Sequence, residues 1–272
     1  MTRSRDRDPD ETPDPKVAIA LRGVAVGYDG RAVLENLDFD ILRGEILFIG
    51  GGSGCGKTTL LSSLNTLRPP LRGSIRIDGI EVAGAGEATL ARVRRRFGMM
   101  YQLGALFGEM TLLENVRLPL EEFTALPRAA MDDIARAKLG LVGLAEHAGK
   151  KPSGISGGMQ KRAAIARALA LDPPIVFLDE PSAGLDPVSS ADLDGMVVAL
   201  NRLLGTTFVI ISHEQPSIFS IGHRLAMLDG ARRGLVALGP PAELRDSSAD
   251  PWVRHFLSRG MQGAEKSQEH HA

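Results

Sequence analysis

Apolar and polar positions along the chain follow two alternating periods. VAIALRGVAVGY (17–28) and AVLENLDFDI (32–41) carry the alternation of strands. Asp29-Gly30 lies between them and favours a tight hairpin turn, so the two runs are predicted to pair. EILFIG (45–50), PIVFLDE (174–180) and TFVIIS (207–212) are short apolar runs with no polar alternation. Strands of that kind are buried on both faces, as in a parallel sheet covered by helices. SIRIDG (74–79) and RLAMLDG (224–230) read as further strands. A helical period appears in KTTLLSSLNTL (57–67), through 111–147 (for example RAAMDDIARAKLGLVGL, 128–144) and in GMQKRAAIARALAL (158–171). The prediction is an α/β fold: a mostly parallel core sheet with helices on both faces, and paired N-terminal strands forming a β subdomain. A helical subdomain of about 103–165 is inserted between strands of that sheet.

Composition bounds this picture without changing it. The 272 residues suffice for one large α/β domain, and 43% are hydrophobic, as in ordinary globular proteins. A formal net charge of −1 provides no field favouring nucleic acid. Cys55 is the single cysteine, so no intramolecular disulfide can form, which suits a reducing compartment. TRSRDRDPDETPDPK follows Met1 without an apolar segment, so no secretory signal is expected. No apolar run approaches the roughly 20 residues of a spanning helix, so work at a membrane would go through a partner. Residues 1–16 and 259–272 are predicted tails around a domain of 17–258. His270 and His271, near the end, read as part of a solvated tail rather than a metal site.

GGSGCGKTT (51–59) sits between a predicted buried strand and a predicted helix. A flexible linker has no place there. A dinucleotide loop needs G-x-G-x-x-G, whereas this run follows G-x-x-x-x-G-K-[ST] through Gly51, Gly56, Lys57 and Thr58. Glycines let backbone N–H groups turn inward around phosphate oxygens, and the next helix adds its positive N-terminal end. Lys57 would reach the terminal phosphates and the Thr58 hydroxyl a Mg²⁺ ion. Cys55 reads as a small residue filling a loop position, the alternative being a redox role.

A phosphate loop says only nucleotide hydrolysis, and the other half of the site must come from elsewhere. In IVFLDE four apolar residues end in Asp179 and Glu180. A carboxylate at the tip of a buried strand can hold Mg²⁺, and a second beside it can orient or deprotonate an attacking water.

The segment ISGGMQKRAAIARALALDPPIVFLDEPSAGLDP (155–187) resembles the ATP-binding cassette family. Ser156-Gly157-Gly158 matches the family signature, just before the Walker B strand. Tyr28 stands where the family has an adenine-stacking aromatic, Gln102 where it has the Q-loop glutamine, Ser182 to Asp186 where it has the D-loop, and His213 where it has the switch histidine. The ordered motifs span roughly residues 17–258. The usual signature is LSGGQ, and this chain departs from it at Ile155 and Met159. Methionine lacks the hydrogen-bonding amide of glutamine. SGGM, together with QLGALFGEMTLLENVRLPLEEF (102–123) and DPWVRHFL (250–257), looks like the ATPases of Mla/MCE lipid-transport systems, some of which are named for organic-solvent tolerance.

The resemblance implies two cassettes packed head to tail, a homodimer in which each ATP lies between the loop of one copy and the Ser156–Met159 segment of the other. It assigns Tyr28 to adenine, and Gly51, Gly52, Ser53, Gly54, Cys55, Gly56, Lys57, Thr58 and Thr59 to the phosphates. Thr58, Asp179 and Gln102 serve Mg²⁺, Glu180 is the general base, His213 contacts the γ-phosphate and Asp186 couples the two sites. It also implies a membrane permease docked near Leu106, Phe107 and Met110, an MCE-domain protein, a small STAS-type regulatory subunit, and a peripheral position on the cytoplasmic face of the inner membrane. The stripe of Trp252, Val253, Phe256 and Leu257 either meets a partner or packs on its own domain. The competing readings are a motor for another solute, a soluble interaction switch, and a non-hydrolysing regulatory cassette. The intact Lys57, Glu180 and His213 oppose the last.

Overall fold

The computed structural model describes residues 14–102 and 104–258. Its centre is a six-stranded sheet of β3 (Ile46–Gly51), β6 (Phe97–Met100), β7 (Ile175–Asp179), β8 (Thr207–Ile211), β9 (Arg224–Asp229) and β10 (Gly234–Gly239). The spatial order is β10-β9-β3-β8-β7-β6, parallel from β9 to β6, with β10 antiparallel at the edge. Successive residues of β3, β7 and β8 face opposite cores. Ile46, Phe48, Val176, Leu178, Phe208 and Ile210 join one, and Leu47, Ile49, Ile175, Phe177, Val209 and Ile211 the other. Both faces are dry, which is why these strands are uninterrupted apolar runs.

One face is covered by helices. α3 (Leu112–Phe123), α4 (Arg128–Leu141) and α5 (Gly157–Ala168) pack on one another, and α6 (Pro187–Leu204) and α7 (Gln215–Ile221) continue the layer. α3 begins with a capping box: the Glu114 amide donates to Thr111 Oγ1, and the Thr111 amide donates to the Glu114 carboxylate. The opposite face is covered by α1 (Lys57–Leu64) and by a four-stranded antiparallel sheet of order β2-β1-β4-β5: β1 (Val17–Tyr28), β2 (Arg31–Leu42), β4 (Arg72–Ile77) and β5 (Ile80–Glu81). Tyr28 pairs with Arg31 across the predicted turn. Asp29 and Gly30 there have φ of 50° and 73°, the left-handed pair of a turn whose twist suits a hairpin.

The predicted strands and helices are present, with ends shifted by a few residues. Not foreseen were β5, β6, β10, α6, α7, α2 (Glu87–Arg94) and α8 (Pro241–Ser247). Within the predicted N-terminal tail, residues 1–13 lie outside the described residues. Residues 15 and 16 are held: the Arg43 amide donates to Lys16 O at 2.8 Å, and Arg43 Nε to Pro15 O at 2.8 Å. The C-terminal stretch 259–272, with His270 and His271, lies outside the described residues. Residues 251–258 are helical, and Val253 and Leu257 are fully buried in the core under the helical layer, with Trp252 and Phe256 packed against it. That apolar stripe is therefore used on its own domain.

Candidate nucleotide-binding site

The candidate residues gather at the carboxyl edge of the central strands, where open α/β sheets place their ligands. The glycine loop leaves β3, Glu180 follows β7 and His213 lies just beyond β8, three neighbouring strands. Two cross-strand bonds tie these ends together: the Glu180 amide donates to Ile211 O at 2.8 Å, and the Ser212 amide to Ile49 O at 3.3 Å.

The loop needs its glycines at specific points. Gly51 has φ of 146°, and a β-carbon there would lie 2.3 Å from Leu228 O and 2.7 Å from Cys55 Sγ. Gly56 has φ of 103°, directly before α1, and a β-carbon there would lie 2.8 Å from the Leu34 side chain. Cys55 is buried in the loop, and a β-carbon at Gly51 would meet its sulfur. The Lys57 ammonium folds back to donate to Gly51 O at 2.9 Å and Gly52 O at 3.1 Å. Ser53 and Gly54 in the loop and Thr58 in the first turn of α1 are exposed. Thr59 is buried, and its hydroxyl donates to Tyr28 OH at 3.3 Å. That bond links the loop to the predicted adenine aromatic.

Glu180 is buried yet has φ of 46°, a left-handed conformation that a non-glycine residue adopts at a cost and that marks functional sites. One carboxylate oxygen lies 2.9 Å from His213 Nδ1; the other is buried with no partner. With Glu180 ionised its oxygen can only accept, and this contact then requires a neutral His213 ring to carry its proton on Nδ1, leaving Nε2 an acceptor. Burial pushes the Asp179 carboxyl up, and neighbouring Glu180 adds to this, while Lys161 and Lys57 oppose it. Two adjacent carboxylates in such surroundings favour a cation. Neither Thr58 Oγ1 nor the Asp179 carboxylate has a hydrogen-bond partner among the described residues, and this donor set suits a small divalent cation.

The remaining candidates are placed less directly. Tyr28 is 39% exposed, with the Arg68 guanidinium 4.6 Å from its ring centroid, a contact sequence reasoning missed. The Gln102 side chain is exposed and touches neither Thr58 nor Asp179 by hydrogen bond, although its backbone carbonyl is held by Lys161. Ser156 caps α5, accepting from the Met159 amide at 3.3 Å, and Ser156 and Gly157 are exposed on the surface. Gly158 faces Leu185, and Met159 packs partly against the core, so the departure from glutamine gives an apolar contact. Asp186 caps α6, accepting from the Val188 and Ser189 amides at 3.0 Å each and from the Ser189 hydroxyl at 2.5 Å. These bonds, that of the Ser189 hydroxyl above all, hold its carboxyl below the usual range. Lys161 and Arg167 were also missed as site residues. In the sequence they look like part of a solvated helix face, with no signal that they turn inward.

The family description "ABC transporter" matches residues 34–183, more than half of the chain. The chain belongs to the ABC transporter family. Among similar proteins, the probable ribonucleotide transport ATP-binding protein mkl of Mycobacterium leprae is 40% identical over 89% of this chain and 69% of its own length. The intermembrane phospholipid transport system ATP-binding protein MlaF of Escherichia coli K12 is 38% identical over 88% of both chains. A solved structure described as a dimeric post-hydrolysis state of the ATP-binding cassette MJ0796, bound to ADP and Pi, superposes with a TM-score of 0.73 at 31% identity, covering 82% of this chain and 98% of that one. This ABC protein is thus an ATPase and the ATP-hydrolysing subunit of a transporter. ABC ATPases form dimers and pair with membrane permeases. Among the described residues, no helix is long and apolar enough to cross a membrane.

Proposed function

We propose that this ABC ATPase powers phospholipid transport through a permease of Mla/MCE type, as a homodimer on the cytoplasmic face of the inner membrane. The supporting observation is the likeness to MlaF, which extends over 88% of both chains. A second reading has its own observation: the relatives named for ribonucleotide transport are slightly more identical, at 40%, though matched over only 69% of their length. In that reading the motor is the same and the solute polar.

The residues take these roles. Tyr28 stacks on adenine. Backbone N–H groups from Gly51 to Thr59 and the Lys57 ammonium hold the phosphates, and Lys57 gives up its two loop carbonyls to do so. Thr58, Asp179 and Gln102 hold Mg²⁺, which neutralises phosphate charge when bound. Glu180 uses its unpartnered carboxylate oxygen to orient and deprotonate water, the general-base part of the reaction. His213, held by the other oxygen, turns to the γ-phosphate. Donation to phosphate from Nε2 requires the imidazolium or release of the Glu180 contact, since the single proton of the neutral ring is on Nδ1. Ser156, Gly157, Gly158 and Met159 close the site of the second copy, with Asp186 at the seam. Phe107, 52% exposed, is the apolar contact offered to the permease, while neighbouring Leu106 packs on the core. An MCE-domain protein and a STAS-type subunit complete the assembly, and nucleic acid takes no part.

Affinity purification of the tagged protein from native membranes in mild detergent tests this. Stoichiometric recovery of a polytopic permease with an MCE-domain protein is expected. A permease with a soluble solute-binding protein instead would overturn the lipid assignment and leave the motor. Recovery of soluble partners alone would overturn both.

A further inference from the structure

Two cations of α5 reach away from the solvent and grip the chain that follows β6. The Lys161 side chain is 8% exposed on a residue basis, and its ammonium donates to the Gln102 carbonyl. Arg167 donates through Nη2 to Gly104 O at 2.8 Å and through Nη1 to Ala105 O at 2.7 Å. Gly104 and Ala105 are successive left-handed residues, with φ of 71° and 49°, and the second is not glycine. Two left-handed residues in a row turn both carbonyls toward one guanidinium, whose planar fork fits two acceptors. Neither Lys161 nor Arg167 forms an ion pair among the described residues. Lys161 is attracted by the carboxylates of Asp179, Glu180 and Glu214 without pairing with any of them, so its ammonium lies between the candidate site and the carbonyl it holds. Both cations spend their donors on backbone carbonyls of one loop.

The other end of this loop is held as firmly. Fully buried Asn115 accepts from the Phe107 amide at 2.8 Å and donates to the carbonyls of Phe107, Met110 and Thr111 at 3.1, 3.3 and 3.0 Å. Between the two grips the chain carries Gln102 at one end and exposed Phe107 at the other. α5 itself starts at Ser156, the residue assigned to the partner's nucleotide.

We propose that Lys161 and Arg167 are positioning residues that fix the carbonyls of Gln102, Gly104 and Ala105 to the signature helix, so that Gln102 reaches its cation only as α5 moves with it. This rests on the reading of the site as an ATP site.

The test uses the purified full chain, with Lys161→Met (similar length, no charge) and Lys161→Arg as the conservative variant. Readouts are hydrogen exchange at the Gly104 amide without nucleotide, affinity for a fluorescent ATP analogue, and kcat and KM for ATP with Mg²⁺. The Gly104 amide donates within the turn, to Tyr101 O, and reports on the grip. In Lys161→Met, exchange there is expected to rise about tenfold while core exchange is unchanged. Analogue affinity and KM should stay within about threefold and kcat should fall by about tenfold or more, the split of a group acting after binding. Lys161→Arg should restore most of both. Unchanged Gly104 exchange, or an unchanged kcat, in a folded Lys161→Met protein would overturn the proposal. If that variant does not fold, Arg167→Lys, which keeps the charge but not the fork, is expected to raise Gly104 exchange, and no rise would overturn it. If the wild-type chain neither binds nor hydrolyses ATP, the reading of the site fails, while the exchange comparison still decides the grip.

Discussion

Replacing Gly51 by alanine probes how the phosphate loop is built. Gly51 pairs with Leu228 across β3 and β9, and its φ of 146° lies where side chains are strained. The new methyl would stand 2.3 Å from the Leu228 carbonyl oxygen and 2.7 Å from Cys55 Sγ. The sulfur can turn, but the carbonyl belongs to a sheet and can move only if β9 does. Backbone strain of about 1–3 kcal/mol and overpacking of about 1–3 kcal/mol sum to about 2–6 kcal/mol. At about 2–4 °C per kcal/mol for a domain of this size, Tm should fall by about 4–24 °C. Gly54→Ala supplies the comparison: φ is 71° but nothing lies within 4 Å, so strain acts alone at about 1–2 kcal/mol. Gly52→Ala, with neither strain nor neighbours, should stay within about 0.5 kcal/mol of wild type. Differential scanning fluorimetry of the three nucleotide-free variants, with circular dichroism to confirm folding, reads this order. A Gly51→Ala protein that melts no lower than Gly54→Ala would refute the steric reasoning.

Other expectations concern the outer parts of the site. Tyr28→Ala should weaken binding of a fluorescent ATP analogue by about 1–3 kcal/mol, the usual worth of base stacking on an aromatic, while Tyr28→Phe, which loses only the long bond from Thr59, should bind nearly as wild type; equal losses in the two would remove the stacking role. Asp186→Ala should lower Tm by loss of the α6 cap. Because the Asp186 carboxyl is held below its ordinary value, its contribution is complete above the usual aspartate range of about 4 and fades as pH falls through the depressed value, so melts of wild type and variant should converge in acid and differ at neutral pH. Chelation of divalent cations should abolish hydrolysis while leaving Tm of the nucleotide-free chain unchanged, since the Thr58 and Asp179 side chains take no part in the hydrogen bonding of the fold. A fall in Tm on chelation would assign the metal a structural role.

The sequence was most legible where burial is complete. Ile46–Gly51, Ile175–Asp179 and Thr207–Ile211 have both faces covered, so nothing polar interrupts them and their nature as central strands is plain. The loop was legible because its glycines occupy fixed spacings. α6 was missed although Asp186 as cap, Pro187 at its start and left-handed Gly205 at its end are ordinary boundary signals. β10 is half-buried at every position and carries no alternation, and β6 has only four residues, whose Gly98 lets the strand close onto the Ala168 backbone. Side-chain direction was the least legible. Arg68 over Tyr28, and Lys161 and Arg167 turned inward from a helix, are tertiary contacts between segments whose spacing says nothing of them. At Asp186 the family resemblance implied a place at the dimer seam, while the single chain employs both oxygens in a cap.

The central claim is that Glu180 is the base of an ATP-hydrolysing site built at the ends of β3, β7 and β8. Glu180→Gln keeps shape and backbone and removes only the charge. Phosphate release by this variant, measured beside its nucleotide affinity and its oligomeric state in ATP and Mg²⁺, tests the claim most directly. The account predicts nucleotide binding close to wild type, a chain that accumulates as a closed dimer, and hydrolysis slowed at least about a hundredfold, which corresponds to about 2.7 kcal/mol of lost transition-state stabilisation. Turnover within a few-fold of wild type would contradict it and move the base to another group.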